Sequence, residues 1–213
     1  MSIQATGDRT RVLEEFRRWF EPVPVESDDS PMGDRILDAA RCCYLRFGAA
    51  KMGMRDVADE AGVSRGSVYK YYQSRDQLLK ELTDHGISNF ARTLDALMGE
   101  HDNLEAQLSE AVILMWYGAH RRPQAPGHSS FVAAYLTSES GPLVRAAMAV
   151  LRGHLDAAKA RGEVREDFDL DRGAEWVARN LIAAVSMPGV TFDSDAVADV
   201  DRFISEFMVR GLT

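Results

Sequence analysis

The sequence predicts an all-α protein with a small three-helix head and a larger helical body. Three observations predict it. Apolar residues recur at helical spacing from about residue 34 almost to the C-terminus. No segment shows the apolar/polar alternation of a strand. The breaks between periodic segments carry Gly or Pro, which end helices. The length of 213 residues is enough for a sizeable core.

The elements follow in chain order. Thr10–Phe20 places Val12, Leu13, Phe16, Trp19 and Phe20 at helical spacing, and Glu21-Pro22-Val23-Pro24 ends that helix in an acidic, turn-rich linker. Residues 1–32 thus form an N-terminal extension and linker. Asp34–Phe47 aligns Ile36, Leu37, Ala40, Cys43, Tyr44 and Phe47 on one face and stops at Gly48. Cys43 falls at a core position and Cys42 on the outer side. A short helix, Met54–Glu60, is closed by Ala61-Gly62-Val63, and Ser64 caps a second short helix that runs to Tyr71. Ser74-Arg75-Asp76-Gln77 has the form of a capping box and opens a helix to about Met98. Five more helices are expected, near Leu104–Arg121, Ser130–Ser138, Pro142–Arg161, Leu170–Met187 and Ser194–Val209. The expected division is a head over 33–80 and a body over 81–213.

Composition restricts the function. Apolar residues make up 46 % and charged residues 27 %, as in soluble globular proteins. No run of eighteen apolar residues exists, so no membrane helix is expected. Met1–Glu21 is charged throughout and lacks the apolar core of a signal peptide. The adjacent Cys42 and Cys43 offer neither an ordinary disulfide nor zinc-binding spacing. A cytoplasmic location is the expectation. The five histidines are scattered, and no nucleophile elbow or phosphate loop occurs, so no enzyme activity, metal or cofactor is expected. The carboxylates read as surface partners at i, i+4 spacing.

Charge is unevenly placed. The whole chain carries −8, yet residues 33–82 hold nine Lys/Arg against seven Asp/Glu. Met54–Tyr71 reads helix, glycine-containing turn, helix, which is a helix-turn-helix arrangement. From Ala61 to Arg75 there are three cations, Arg65, Lys70 and Arg75, and no carboxylate, with Tyr69, Tyr71 and Tyr72 interleaved. Cations of this kind neutralise phosphates, and planar or short side chains read base edges in a DNA major groove. Gly66 permits close approach.

Residues 35–80, which include Arg-Asp-Val-Ala-Asp-Glu-Ala-Gly-Val-Ser-Arg-Gly-Ser-Val-Tyr-Lys-Tyr-Tyr, resemble the DNA-binding head of the tetracycline-repressor (TetR) family. The resemblance implies a homodimer whose heads bind a double-stranded palindromic operator. It also implies a body that binds a small-molecule effector and releases the DNA, so that the chain acts as a repressor. By position, it places Arg65, Gly66 and Tyr69 at bases, and Ser64, Lys70, Tyr71 and Arg75 at phosphate. Tyr72 takes a core position. Met52 and Gly53 stand where the family often has Ser or Thr, which removes a hydroxyl contact and leaves the Gly53 and Met54 amides as donors. A helical protein-binding scaffold without DNA function is the alternative reading.

In the body, Val112-Ile113-Leu114-Met115-Trp116-Tyr117 is rich in large apolar side chains. Trp116, Tyr117, His120, Phe131, Tyr135, Met148, Trp176 and Asn180 are the candidate effector residues, suited to an apolar or aromatic ligand. The last two long helices are apolar on more than one side, one face for the core and one for a second copy.

Overall fold

The computed structural model describes residues 31–120, 140–187 and 189–212, without the side chains of residues 117–120, 140, 185 and 186. The expected helices Thr10–Phe20 and Ser130–Ser138 lie outside the described residues, as do Phe131 and Tyr135. The described residues are helical, with turns between the helices and no strand among them. They fall into two compact units that divide between residues 88 and 89.

The first unit begins with α1 (Met32–Phe47), α2 (Met54–Glu60) and α3 (Arg65–Tyr71). It ends in the first half of α4 (Arg75–Gly99). Ile36, Ala40, Val57, Ala58, Val68, Leu78 and Leu82 form its core, each at most 2 % exposed, with Tyr44, Val63 and Tyr72 packed at its margin. Two seven-residue helices bury too little surface to persist alone, and α1 completes their shared core. Gly62 sits at φ +64°, a conformation that L side chains rarely adopt, and this lets the chain turn sharply between α2 and α3.

Cys42 departs from the expectation. It is buried at 0 % exposure, as is Cys43 at 1 %. Desolvation raises both thiol pKa values, that of Cys43 to about 12. Neither thiol is a nucleophile at neutral pH.

The second unit contains the rest of α4, α5 (Leu104–His120), α6 (Ser140–Ala160), α7 (Leu170–Ser186) and α8 (Val197–Ile204). A π-helical turn, Ser205–Val209, and a last short helix, α9 (Arg210–Leu212), follow α8. Helix α6 begins at Ser140, ahead of the expected break at Gly141-Pro142. Pro142 sits in its first turn, where a missing N–H removes no helical bond. Helices α6 and α7 pack closely through Ala147, Leu151, Leu155 and Ala158 against Ala174, Val177, Ala178 and Leu181. Between them, the Phe168 ring lies directly on Gly173. A Cβ there would come within 1.9 Å of the ring, so glycine is required.

Candidate nucleic-acid interface

Helix α3 is held rigidly and presents one polar face. Ser64 is its N-cap: the hydroxyl accepts the Ser67 N–H at 3.0 Å, as the sequence predicts. Val68 anchors the inner face at 0 % exposure. At the C-terminal end, the Tyr72 hydroxyl donates to the Gly33 carbonyl at 3.3 Å and ties α3 to the start of α1. The Tyr71 ring lies alongside Gly33, within 3.5 Å of where a Cβ would stand.

The outer face carries Ser64, Arg65, Gly66, Tyr69, Lys70 and Tyr71, all exposed. Arg65 and Tyr69 are one helical turn apart, and the Arg65 Nη2 donates to the Tyr69 hydroxyl at 3.3 Å. The guanidinium carbon lies 5.4 Å from the ring centroid, which is cation–π range. A Cβ on Gly66 would meet only the Ser64 hydroxyl, at 3.7 Å. The missing side chain therefore relieves no internal crowding and leaves open space on the outer face.

The other cations of this unit are differently engaged. Arg75 turns inward: its Nε donates to the Met52 carbonyl at 2.8 Å and its Nη2 to the Ala49 carbonyl, which braces the α1–α2 turn. Arg46 forms a bidentate pair with Glu60 at 2.6 and 3.0 Å, and Arg55 lies 3.7 Å from Asp59. Both charges are locally balanced. At the start of α2, the Gly53 N–H donates to the Asp56 carboxylate at 2.9 Å, so this amide already has an anionic acceptor. Met52 is 1 % exposed and belongs to the core.

The described candidate effector residues of the second unit lie on α5, α6 and α7. Trp116 is part-buried on α5, and its indole N–H donates to the Ser194 carbonyl at 3.1 Å, joining α5 to the α7–α8 connection. Met148 is part-buried on α6. Trp176 is 47 % exposed on α7, and the Asn180 amide donates to the Trp176 carbonyl at 2.7 Å. Tyr117 and His120 end α5, and their side chains lie outside the described residues.

The sequence reading missed a buried polar group. Glu110, read as a surface carboxylate, is 6 % exposed and Gln107 is 4 % exposed. The Gln107 amide donates to the His101 carbonyl at 2.8 Å, and Glu110 lies 3.3 Å from the His101 ring nitrogen. The signal was in the register: Gln107 follows Leu104 by three and precedes Ala111 by four, on the apolar face.

A capped, exposed, carboxylate-free cationic helix on a compact three-helix unit defines a helix-turn-helix DNA-binding protein. Residues 36–82 match the family model described as "Bacterial regulatory proteins, tetR family". The chain is 26 % identical over 183 residues to the HTH-type transcriptional regulator Rv1255c of Mycobacterium tuberculosis, covering 84 % of this chain and 85 % of that one. It is 35 % identical over 74 residues to the HTH-type transcriptional regulator YfiR of Bacillus subtilis, and spans 36 % of that relative's length. Its fold is similar to that of the transcriptional regulator FadR of Bacillus subtilis, solved with stearoyl-CoA. The TM-score is 0.62 at 18 % identity, over 84 % of this chain and 99 % of that one. Residues 36–82 are thus a TetR-type DNA-binding domain, and over most of its length the chain is similar to HTH-type transcriptional regulators.

Proposed function

We propose that this chain is a cytoplasmic repressor that binds a palindromic operator as a homodimer and leaves it when a small effector enters the body. The observation that carries the reading is the outer face of α3, where Arg65, Gly66, Tyr69, Lys70 and Tyr71 stand together on a capped helix. Arg65, Gly66 and Tyr69 meet bases, and Ser64, Lys70 and Tyr71 meet phosphate. Arg75 acts mainly as a brace, and its Nη1 lies 3.8 Å from the Asp76 carboxylate, with which a phosphate would compete.

Apolar exposure supports self-association through the last helices. Trp176 on α7, Met187 at its end and Phe207 in the π turn are 47, 60 and 62 % exposed. Such residues on a body with a well-filled core are suited to a twofold partner. The proposed DNA-binding head spans 33–80 and the proposed effector and dimerisation body 81–213, whereas the compact units divide eight residues later, within α4. The effector preferentially binds one of two dimer conformations and thereby shifts the population away from the DNA-bound form. An apolar or aromatic effector suits the α5 sequence around Trp116. In the described residues, no helix is long and apolar enough to cross a membrane.

A gel-shift titration on the intergenic DNA upstream of the coding sequence tests the reading. A sequence-selective shift, lost in an Arg65→Ala/Tyr69→Ala chain, is expected. Equal shifts by wild type and the double variant contradict it.

A further inference from the structure

We propose that Tyr69 is a positioning residue that holds the Arg65 guanidinium as the reader of a guanine in each operator half-site. The inference rests on α3 being the DNA-contacting helix and adds the base and the residue that presents its reader.

Three observations support it. First, an exposed arginine normally samples many rotamers, but here its Nη2 donates to the Tyr69 hydroxyl and its planar group lies near the ring. Second, no carboxylate among the described residues pairs with Arg65. Arg46 and Arg55 of the same unit are paired with Glu60 and Asp59, whereas Arg65 donates to an aromatic hydroxyl. Third, the neighbouring Gly66 leaves open space beside Arg65, with nothing nearer to its missing Cβ than Ser64.

The chemistry selects the base. A guanidinium carries five N–H groups and no acceptor. With one Nη2 proton on Tyr69, the other Nη2 proton and its neighbour still form a two-donor edge. Guanine alone presents two adjacent acceptors, O6 and N7, in the major groove. Adenine sets a donor beside its acceptor, and that donor would oppose a guanidinium N–H. Tyr69 thus fixes in advance part of the freedom that Arg65 would lose on binding, which favours the guanine complex.

Selection of binding sites from a random duplex pool, with the full chain as wild type, Arg65→Ala and Tyr69→Phe, tests this. Wild type is expected to enrich a palindrome with a guanine at one symmetric position. Arg65→Ala should lose that guanine and keep the remaining positions. On the selected duplex, Tyr69→Phe should bind about 3-fold more weakly, the size of an exposed pairwise coupling. On a duplex with adenine at the position, Tyr69→Phe should lose less affinity relative to wild type than it does on guanine. A Tyr69→Phe chain equal to wild type on guanine, or equally weakened on both duplexes, overturns the positioning role. An Arg65→Ala pool that keeps the guanine overturns the base assignment. A wild-type chain that enriches no sequence instead contradicts the DNA-binding reading itself. Both side chains are exposed, so the variants should keep the wild-type helix content and melting temperature.

Discussion

Replacing Arg75 separates two roles for one residue. As a phosphate contact it would affect DNA binding alone. As a brace it also affects folding, because its side chain donates to the Ala49 and Met52 carbonyls across the α1–α2 turn. A hydrogen bond from a charged donor contributes about 1.5–3 kcal/mol where water cannot replace it. The Arg75 side chain is 36 % exposed, so water recovers part of that, and about 2 kcal/mol for both bonds is a reasonable sum. For a chain of 213 residues this lowers the melting temperature by about 4–8 °C. Arg75→Ala should show that loss in thermal melts followed by far-ultraviolet circular dichroism. Arg75→Lys, which keeps the charge but reaches one carbonyl, should lose about half. A wild-type melting temperature in both variants, with DNA affinity reduced, would refute the brace.

Further outcomes follow from the same contacts. Gly173→Ala should destabilise the body by about 1–3 kcal/mol in urea titration because its Cβ overlaps the Phe168 ring, and Phe168→Ala in the same chain should remove the clash. Val68→Ala should cost about 2–3 kcal/mol and weaken operator binding, since this side chain alone is fully buried on α3. The Arg161 side chain and then the Leu104 N–H hold the Glu163 carboxyl below its usual pKa. A carboxyl depressed in the folded state stabilises above its unfolded pKa of about 4.3 and loses that contribution as pH falls through the lower folded value. Glu163→Gln should therefore melt below wild type at pH 7, and the gap should close in acid. Iodoacetamide should label Cys42 and Cys43 slowly in the native protein and rapidly in urea, because both thiols are buried and hard to ionise.

The head was readable because its determinants are local. Ser64 caps the residue three positions on, Gly62 turns the chain within a few residues, and the apolar register of α1 selects Ile36, Leu37, Ala40 and Cys43 without reference to any distant element. Gln77 was half readable. Its N–H donates to the Ser74 hydroxyl as a capping box requires, but its side chain accepts from Gln73 rather than from Ser74. What escaped the sequence depends on contacts between residues far apart in the chain. Arg75 reads as a surface cation until the turn containing Ala49 and Met52 folds back on it. Cys42 reads as outward from the register of α1, yet it is buried in the folded protein. Trp116 reads as a pocket wall, yet its N–H is taken by a carbonyl 78 residues away. Glu110 reads as a solvated charge because its i, i+4 spacing suits a surface as well as a core.

The outer face of α3 is proposed to grip duplex DNA through its cations. Fluorescence anisotropy on the selected duplex at several salt concentrations measures it directly. Wild type should lose affinity steeply as salt rises. Lys70→Ala should flatten the plot of log affinity against log salt by about 2, from ~0.9 counterions per lost phosphate contact in each of two protomers. A salt slope unchanged by Lys70→Ala together with Arg65→Ala would mean that α3 does not carry the phosphate contacts.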